Sequence, residues 1–410
     1  MRFRRILAAL TGVLLTLPVT VLPPAAASAA ADVPCPAVSP PVSRPPRPPV
    51  PEPDPADRRI GGDALATAGL AVPPGATRPP AVTATSWMVA DLDSGAVLGG
   101  CGPHEYGVPA STQKLLLVAT VLPKLDPEQV VTVNRKDLDF ERGSSAVGLV
   151  LDGRYPVRTL WLGLLLNSGN DAANVLARLG GGDAGVAGTV AAMNAEAHQL
   201  GARQTHAATP SGLDGPGQVT SPYDLALITR ACFDNEDFRS YDAARTAQMP
   251  PQPAGAKNGF QIQNENQLLF HYRGGIGGKT GFTTLARHSY VGIAERGGRR
   301  LVVTLLGAEA RPLRGWQQGA ALLDWGFAQP TDASVGRLVA PGELDATPGP
   351  AASRPGAARS LDRVGRPGGA GLVGWPVLAG TAALLGVVAL LLLVLAVRSR
   401  PRHVGRRRAR

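Results

Sequence analysis

The chain is poor in three kinds of residue, and each shortage narrows the reading. It has three cysteines, none in a C-x-x-C, and six histidines that form no H-E-x-x-H pattern; zinc chemistry has little support, and neither a metal nor a cofactor is expected. Net positive charge is absent away from the ends. Ten arginines in the two termini, Arg2, Arg4 and Arg5 and seven in RSRPRHVGRRRAR, account for the net charge of +10, which leaves 31 of the 41 basic residues against 31 acidic ones. That balance gives no basic footprint, so no nucleic-acid partner is expected. Lysine is scarcest: only Lys114, Lys124, Lys136, Lys257 and Lys279 stand among the 41. Arginine serves wherever bare charge suffices, whereas a buried lysine can give up its proton and act as a base.

The ends read as targeting segments. Residues 1–31 begin with the three arginines, continue through an apolar stretch and close in small residues around Ala27 to Ala31, the pattern of a secretory signal peptide. Leu372 to Val397 carries no charge and is long enough for a transmembrane helix, and the basic tail 398–410 follows at once. The positive-inside rule places that tail in the cytoplasm and everything upstream outside. A single-pass cell-membrane protein with an extracytoplasmic body is expected. Such a compartment permits one disulfide; a Cys35–Cys101 bridge would tie the N-terminal arm to the body, although spacing leaves the pairing open.

Between the ends, 32–79 is so rich in proline that an extended spacer is expected, and 336–371, rich in Pro, Gly and Ala, reads as a flexible stalk. The folded domain is placed at 80–335. SWMVADLD and AVLGGCG flank Asp93, Ser94 and Gly95 as two strands around a tight turn. Helices are expected at KLLLVAT, at VAAMNAEAHQLG and LALITRACF, and as a pair in TLWLGLLLNSGNDAANVLARLG broken by Asn-Ser-Gly-Asn. HSYVGIAE and RLVVTLLGAE read as strands, and Leu313 to Phe327 as an amphipathic helix. Strands at both ends with helices between them suggest an α/β domain whose sheet is completed by distant parts of the chain.

Two lysines stand in suggestive places. Lys114 lies one helical turn after Ser111, in the only S-x-x-K of the sequence. Ser111 alone reads as a helix cap, but the first turn of a helix disfavours a cation, so Lys114 has the wrong sign for a cap. Lys279 lies in GGKTG, ahead of an expected strand. A phosphate-binding loop would need glycine where Arg273 stands. The other reading is the K-T-G that accompanies S-x-x-K and S-x-N in penicillin-binding enzymes, with Ser168, Gly169 and Asn170 as the middle element.

In that order, with 57 residues from Ser111 to Ser168 and 111 from Ser168 to Lys279, the three motifs are far more specific together than singly. The chain here resembles the serine D-Ala-D-Ala carboxypeptidases, the low-molecular-mass penicillin-binding proteins. ASTQKLLLVATVLPKL, LLLNSGNDAANVLA, AAMNAEAHQLG, ATPSGLDGPG and NENQLL also look like segments of that family, in its order, over roughly Thr83 to Phe327. One departure is Arg287 after Ala286, where the family often shows Ala-Gly; the larger side chain could alter the rim of the site. The resemblance implies a β-lactamase/transpeptidase-like fold, α/β (α+β), with an antiparallel sheet flanked by helices and a helical subdomain carrying S-x-N. It implies catalytic roles for Ser111 as nucleophile, Lys114 as base and Ser168 as proton relay. Asn170 would hold the substrate amide, Lys279 would supply positive charge, Thr280 would bind the terminal carboxylate, and Gly281 would let the strand approach. The backbone N–H groups of Ser111 and Phe282 would form the oxyanion hole. The implied substrate is a peptidoglycan stem peptide ending in D-Ala-D-Ala, and β-lactams should acylate the same serine.

Two alternatives remain. A class A-like β-lactamase would want S-D-N and a deacylating glutamate downstream, but position 169 is Gly and no Glu-x-x-Leu-Asn follows. A non-turnover β-lactam-binding sensor module would want a cytoplasmic output domain, and thirteen residues follow Val397.

Overall fold

A computed structural model describes residues 32–46, 48–255 and 257–346. The expected signal peptide and transmembrane span lie outside the described residues. Among the described residues no helix is long and apolar enough to cross a membrane.

The strands are β1 (Leu70–Ala71), β2 (Ser86–Asp91), β3 (Ala96–Cys101), β4 (Val130–Thr132), β5 (Arg154–Pro156), β6 (Thr246–Met249), β7 (Phe260–Gln263), β8 (Gly275–Thr283), β9 (Arg287–Arg296), β10 (Arg299–Ala308) and β11 (Gly336–Arg337). The α-helices are α1 (Lys114–Val121), α2 (Val157–Leu166), α3 (Asn170–Gly180), α4 (Gly185–Gln199), α5 (Pro222–Phe233), α6 (Glu236–Asp242), α7 (Leu268–His271) and α8 (Gly315–Phe327). One antiparallel sheet runs β1-β3-β2-β10-β9-β8, with β11 also paired to β3. The early hairpin and the late strands thus meet at β2 and β10, as the sequence suggests.

Alternation along the strands gives the sheet two buried faces. Trp87 and Val89 of β2, with Val303 and Leu305 of β10, pack toward Leu322, Leu323 and Trp325 of α8. Met88, Ala90 and Val302 point the other way, into the larger core built around α1, α2, α3 and α5. Seven of the eight α1 residues are buried. A helix apolar nearly all round is a core helix, and here it holds the residue before it, and the turn carrying Ser111, in a fixed place. Helices α2 to α4 form the helical part expected to carry S-x-N, with the small hairpins β4–β5 and β6–β7 beside them.

The N-terminal arm differs from the extended spacer expected. Its β1 covers part of the β3 edge, Leu65 is fully buried, and the His104 ring nitrogen lies 3.0 Å from the Ile60 carbonyl. The arm carries apolar residues among its prolines, and they shield an edge that would otherwise expose unpaired backbone. Cys35 and Cys101 form a disulfide that fastens the arm to β3, and Cys232 is free and buried. The start of the expected stalk also packs: β11 pairs with β3, and Leu338 and Val339 are buried. The folded body is therefore longer at both ends than 80–335.

Candidate active site

The turn before α1 is a 3-10 segment, Ala110–Gln113, that runs straight into the helix. Ala110 adopts φ 48°, a left-handed conformation uncommon for a residue with a side chain. Such strain persists only where the surroundings fix it. The fixing neighbour is the loop at Gly212, where a Cβ would stand 1.8 Å from the Ala110 carbonyl oxygen. Ser111 is thereby presented at the floor of a groove of about 540 Å³.

Lys114 reaches back from the first turn of α1. Its Nζ lies 2.9 Å from Ser111 Oγ, 2.8 Å from Asn170 Oδ1 and 2.7 Å from the Ser211 carbonyl oxygen, and the residue is fully buried. None of these partners is a carboxylate. Burial first, then the positive charge of Lys279, holds the amine well below the ordinary lysine range, against a weaker pull from Asp171 and Glu265. A neutral amine has two N–H donors and one lone pair. It can donate to Asn170 and Ser211 and accept the proton of Ser111, which an ammonium cannot do.

Ser168 sits in the break between α2 and α3, at φ 56°. Its Oγ is buried, lines the groove and has no protein hydrogen-bond partner. Asn170 begins α3, and its Nδ2 donates to Ser144 Oγ over 2.9 Å. Both sides of its amide are thus engaged, one by the base and one by the loop opposite.

The K-T-G lies within β8, a terminal strand of the sheet, rather than ahead of a strand. Glycine density hid this strand in the sequence, and the structure shows why it is needed. A Cβ at Gly281 would stand 2.8 Å from Ser111 N, so only glycine lets β8 pass this close. Lys279 is buried, with its Nζ donating to the Thr280 carbonyl over 2.8 Å. Burial brings its pKa down to about 8, opposed by the charges of Glu265 and Asp242. Thr280, Gly281 and Phe282 line the groove with Ser111, Ser168 and Asn170. All eight residues singled out in the sequence therefore converge on one place.

Several contributors carried no sequence signal of their own. Asp171 accepts hydrogen bonds from the backbone N–H groups of Val147, Gly148 and Leu149 at 2.8 to 2.9 Å, and so shapes the loop that presents Ser144. Ser211 supplies a carbonyl to Lys114, and Glu265 lines the groove. Arg287, the departure noted in the sequence, is not among the residues that line the groove. It forms a paired bond to buried Glu309 at 2.9 and 3.0 Å, with its guanidinium 5.5 Å from the Phe282 ring centroid.

This geometry can be set beside known proteins. Residues 74–310 match the family model described as D-alanyl-D-alanine carboxypeptidase. The chain belongs to the D-alanyl-D-alanine carboxypeptidase family. Within it, the chain is similar to the D-alanyl-D-alanine carboxypeptidase DacB2 of Mycobacterium tuberculosis, 46% identical over 273 residues that cover 65% of this chain and 90% of that protein. A crystal structure of a D-alanyl-D-alanine carboxypeptidase from Mycobacterium tuberculosis H37Rv superposes with a TM-score of 0.61 at 44% identity, covering 65% of this chain and 99% of the other. A Streptomyces DD-transpeptidase structure gives a TM-score of 0.59 at 27% identity over 62% of this chain and all of that one. The carboxypeptidase fold is thus an antiparallel sheet with helices on both faces, as the motifs implied.

Proposed function

We propose that this serine D-alanyl-D-alanine carboxypeptidase removes the terminal D-Ala of peptidoglycan stem peptides through an acyl-enzyme on Ser111. The observation that carries the reading is the fully buried Lys114 amine, 2.9 Å from Ser111 Oγ and bonded to no carboxylate. Neutral Lys114 takes the Ser111 proton as Oγ attacks the carbonyl carbon of the penultimate D-Ala. The backbone N–H groups of Ser111 and Phe282 stabilise the oxyanion, a contribution of about 3–4 kcal/mol for one donor in comparable sites. Ser168, whose hydroxyl has no protein partner, relays that proton from the Lys114 ammonium to the leaving amine, which returns Lys114 to its neutral form. Asn170 holds the substrate amide, while Lys279 and Thr280 hold the terminal carboxylate. Water then hydrolyses the ester, with the same base activating it. β-Lactams follow the first half of this path and remain on Ser111.

The extracytoplasmic placement belongs to the same proposal, with 372–397 as a membrane anchor and 398–410 as its cytoplasmic flank. Its support is the uncharged run, the arginines after it and the N-terminal leader pattern. Incubating the purified protein with a stem pentapeptide tests the activity. Loss of one D-Ala, absent in Ser111→Ala, is the expected result, and D-Ala release by Ser111→Ala would contradict it. Protease accessibility of the body in intact cells tests the topology.

A further inference from the structure

Asp242 is the last residue of α6 and is 1% exposed. The place is costly twice over: a buried carboxylate is desolvated, and a helix C-terminus favours cations. Its Oδ2 accepts from the Gly278 N–H at 2.6 Å, its Oδ1 has no protein partner, and a Cβ on Gly277 would stand 2.2 Å from Oδ2. Gly277 pairs with Ile293 and Lys279 with Val291, so these two β8 positions share one face of the strand. The carboxylate thus occupies the space next to the Lys279 side chain on the face turned toward α6.

We propose that Asp242 is a positioning residue of the active site: its buried carboxylate, bonded under the K-T-G strand, keeps Lys279 cationic while it holds that strand against Ser111. The inference rests on the role given above to Lys279.

The charged groups facing Lys279 are Lys114 from α1, Glu265 from the segment before α7, and Asp242 from α6. Glu265 pulls on Lys279 more strongly than Asp242 does, but it is exposed at the groove, where salt screens it. Asp242 is shut away from solvent. Burial lifts its own carboxyl to about 7, opposed by the Gly278 N–H and by Lys279. Cys232 and Tyr290 also feel its charge, and burial keeps both neutral well above their ordinary values. Between about pH 7 and 8 the carboxylate and the ammonium therefore support each other.

The test uses Asp242→Asn in the full-length chain, which keeps an oxygen for Gly278 N–H and removes the charge. With five lysines in the chain, carbon-13 label at lysine Cε gives few resonances, and Lys279→Arg identifies the one sought. Asp242→Asn is expected to lower the Lys279 titration by about one pH unit, at low salt and at 0.5 M salt alike. The basic limb of kcat/KM for D-Ala release should move by the same amount, with unchanged thermal stability. A Lys279 titration unmoved by Asp242→Asn overturns the inference. That readout does not depend on activity, so failure of the carboxypeptidase mechanism, seen as wild-type protein that releases no D-Ala, is told apart from failure of this role.

Discussion

At the scale of single residues, the proposed chemistry turns on two buried lysines whose amines are both held below the ordinary range. Lys114 is held well below the ordinary lysine range by burial and by the charge of Lys279, and its partners Asn170 and Ser211 offer neutral oxygen atoms. Lys279 keeps its proton up to about pH 8. The sign of the pH dependence follows: kcat/KM falls as pH rises through about 8, when Lys279 loses the charge proposed to hold the substrate carboxylate. A rate flat to pH 10 would contradict that role. Lys114→Ala should lower kcat by about 10²- to 10⁴-fold, the span for a lost general base, read from D-Ala release under saturating substrate. The sequence showed these residues because few types can do this work and lysine is otherwise nearly absent. It did not show Asp171 or Ser211, since an aspartate in a first helical turn and a loop carbonyl look the same whether or not they hold an active site together.

At the scale of elements, the site is assembled from four pieces that approach closely: the turn before α1, the α2–α3 break, the Ser211 loop and β8. Dense apolar runs made the helices and the central strands legible, because α1, α2, α5, β2, β9 and β10 bury most of their residues. Strand β8 was hidden because close backbone approach demands glycine where a strand ordinarily shows branched residues. Gly281→Ala tests that approach. The added methyl meets Ser111 N at 2.8 Å and Ser289 Oγ at 2.3 Å, and a displaced β8 should cost roughly 10²-fold in kcat while the melting temperature stays within a few degrees. Asp171→Ala acts on the opposite wall. It strips three backbone N–H groups of their acceptor, and stability should fall by on the order of 3 kcal/mol, measured by urea unfolding.

At the scale of the whole molecule, the proline-rich arm is part of the folded body. Composition alone suggested a spacer, since proline density says nothing about the few apolar residues between the prolines that find a place on the surface. The Cys35–Cys101 bridge closes a loop of sequence separation 66, which loop-closure entropy values at about 4 kcal/mol. Replacing both cysteines by serine should lower stability by up to that amount and leave the site chemistry intact, because the bridge lies at β3 and the catalytic strand is at the other end of the sheet. Urea unfolding and D-Ala release on the same variant check the two halves of this expectation. The central claim, that Ser111 is the nucleophile, is tested most directly by trapping the covalent intermediate. The intact protein is treated with benzylpenicillin, digested, and the adduct located by mass spectrometry. The account predicts a single penicilloyl group on Ser111, absent from Ser111→Ala; an adduct on another residue, or one that survives in Ser111→Ala, would contradict it.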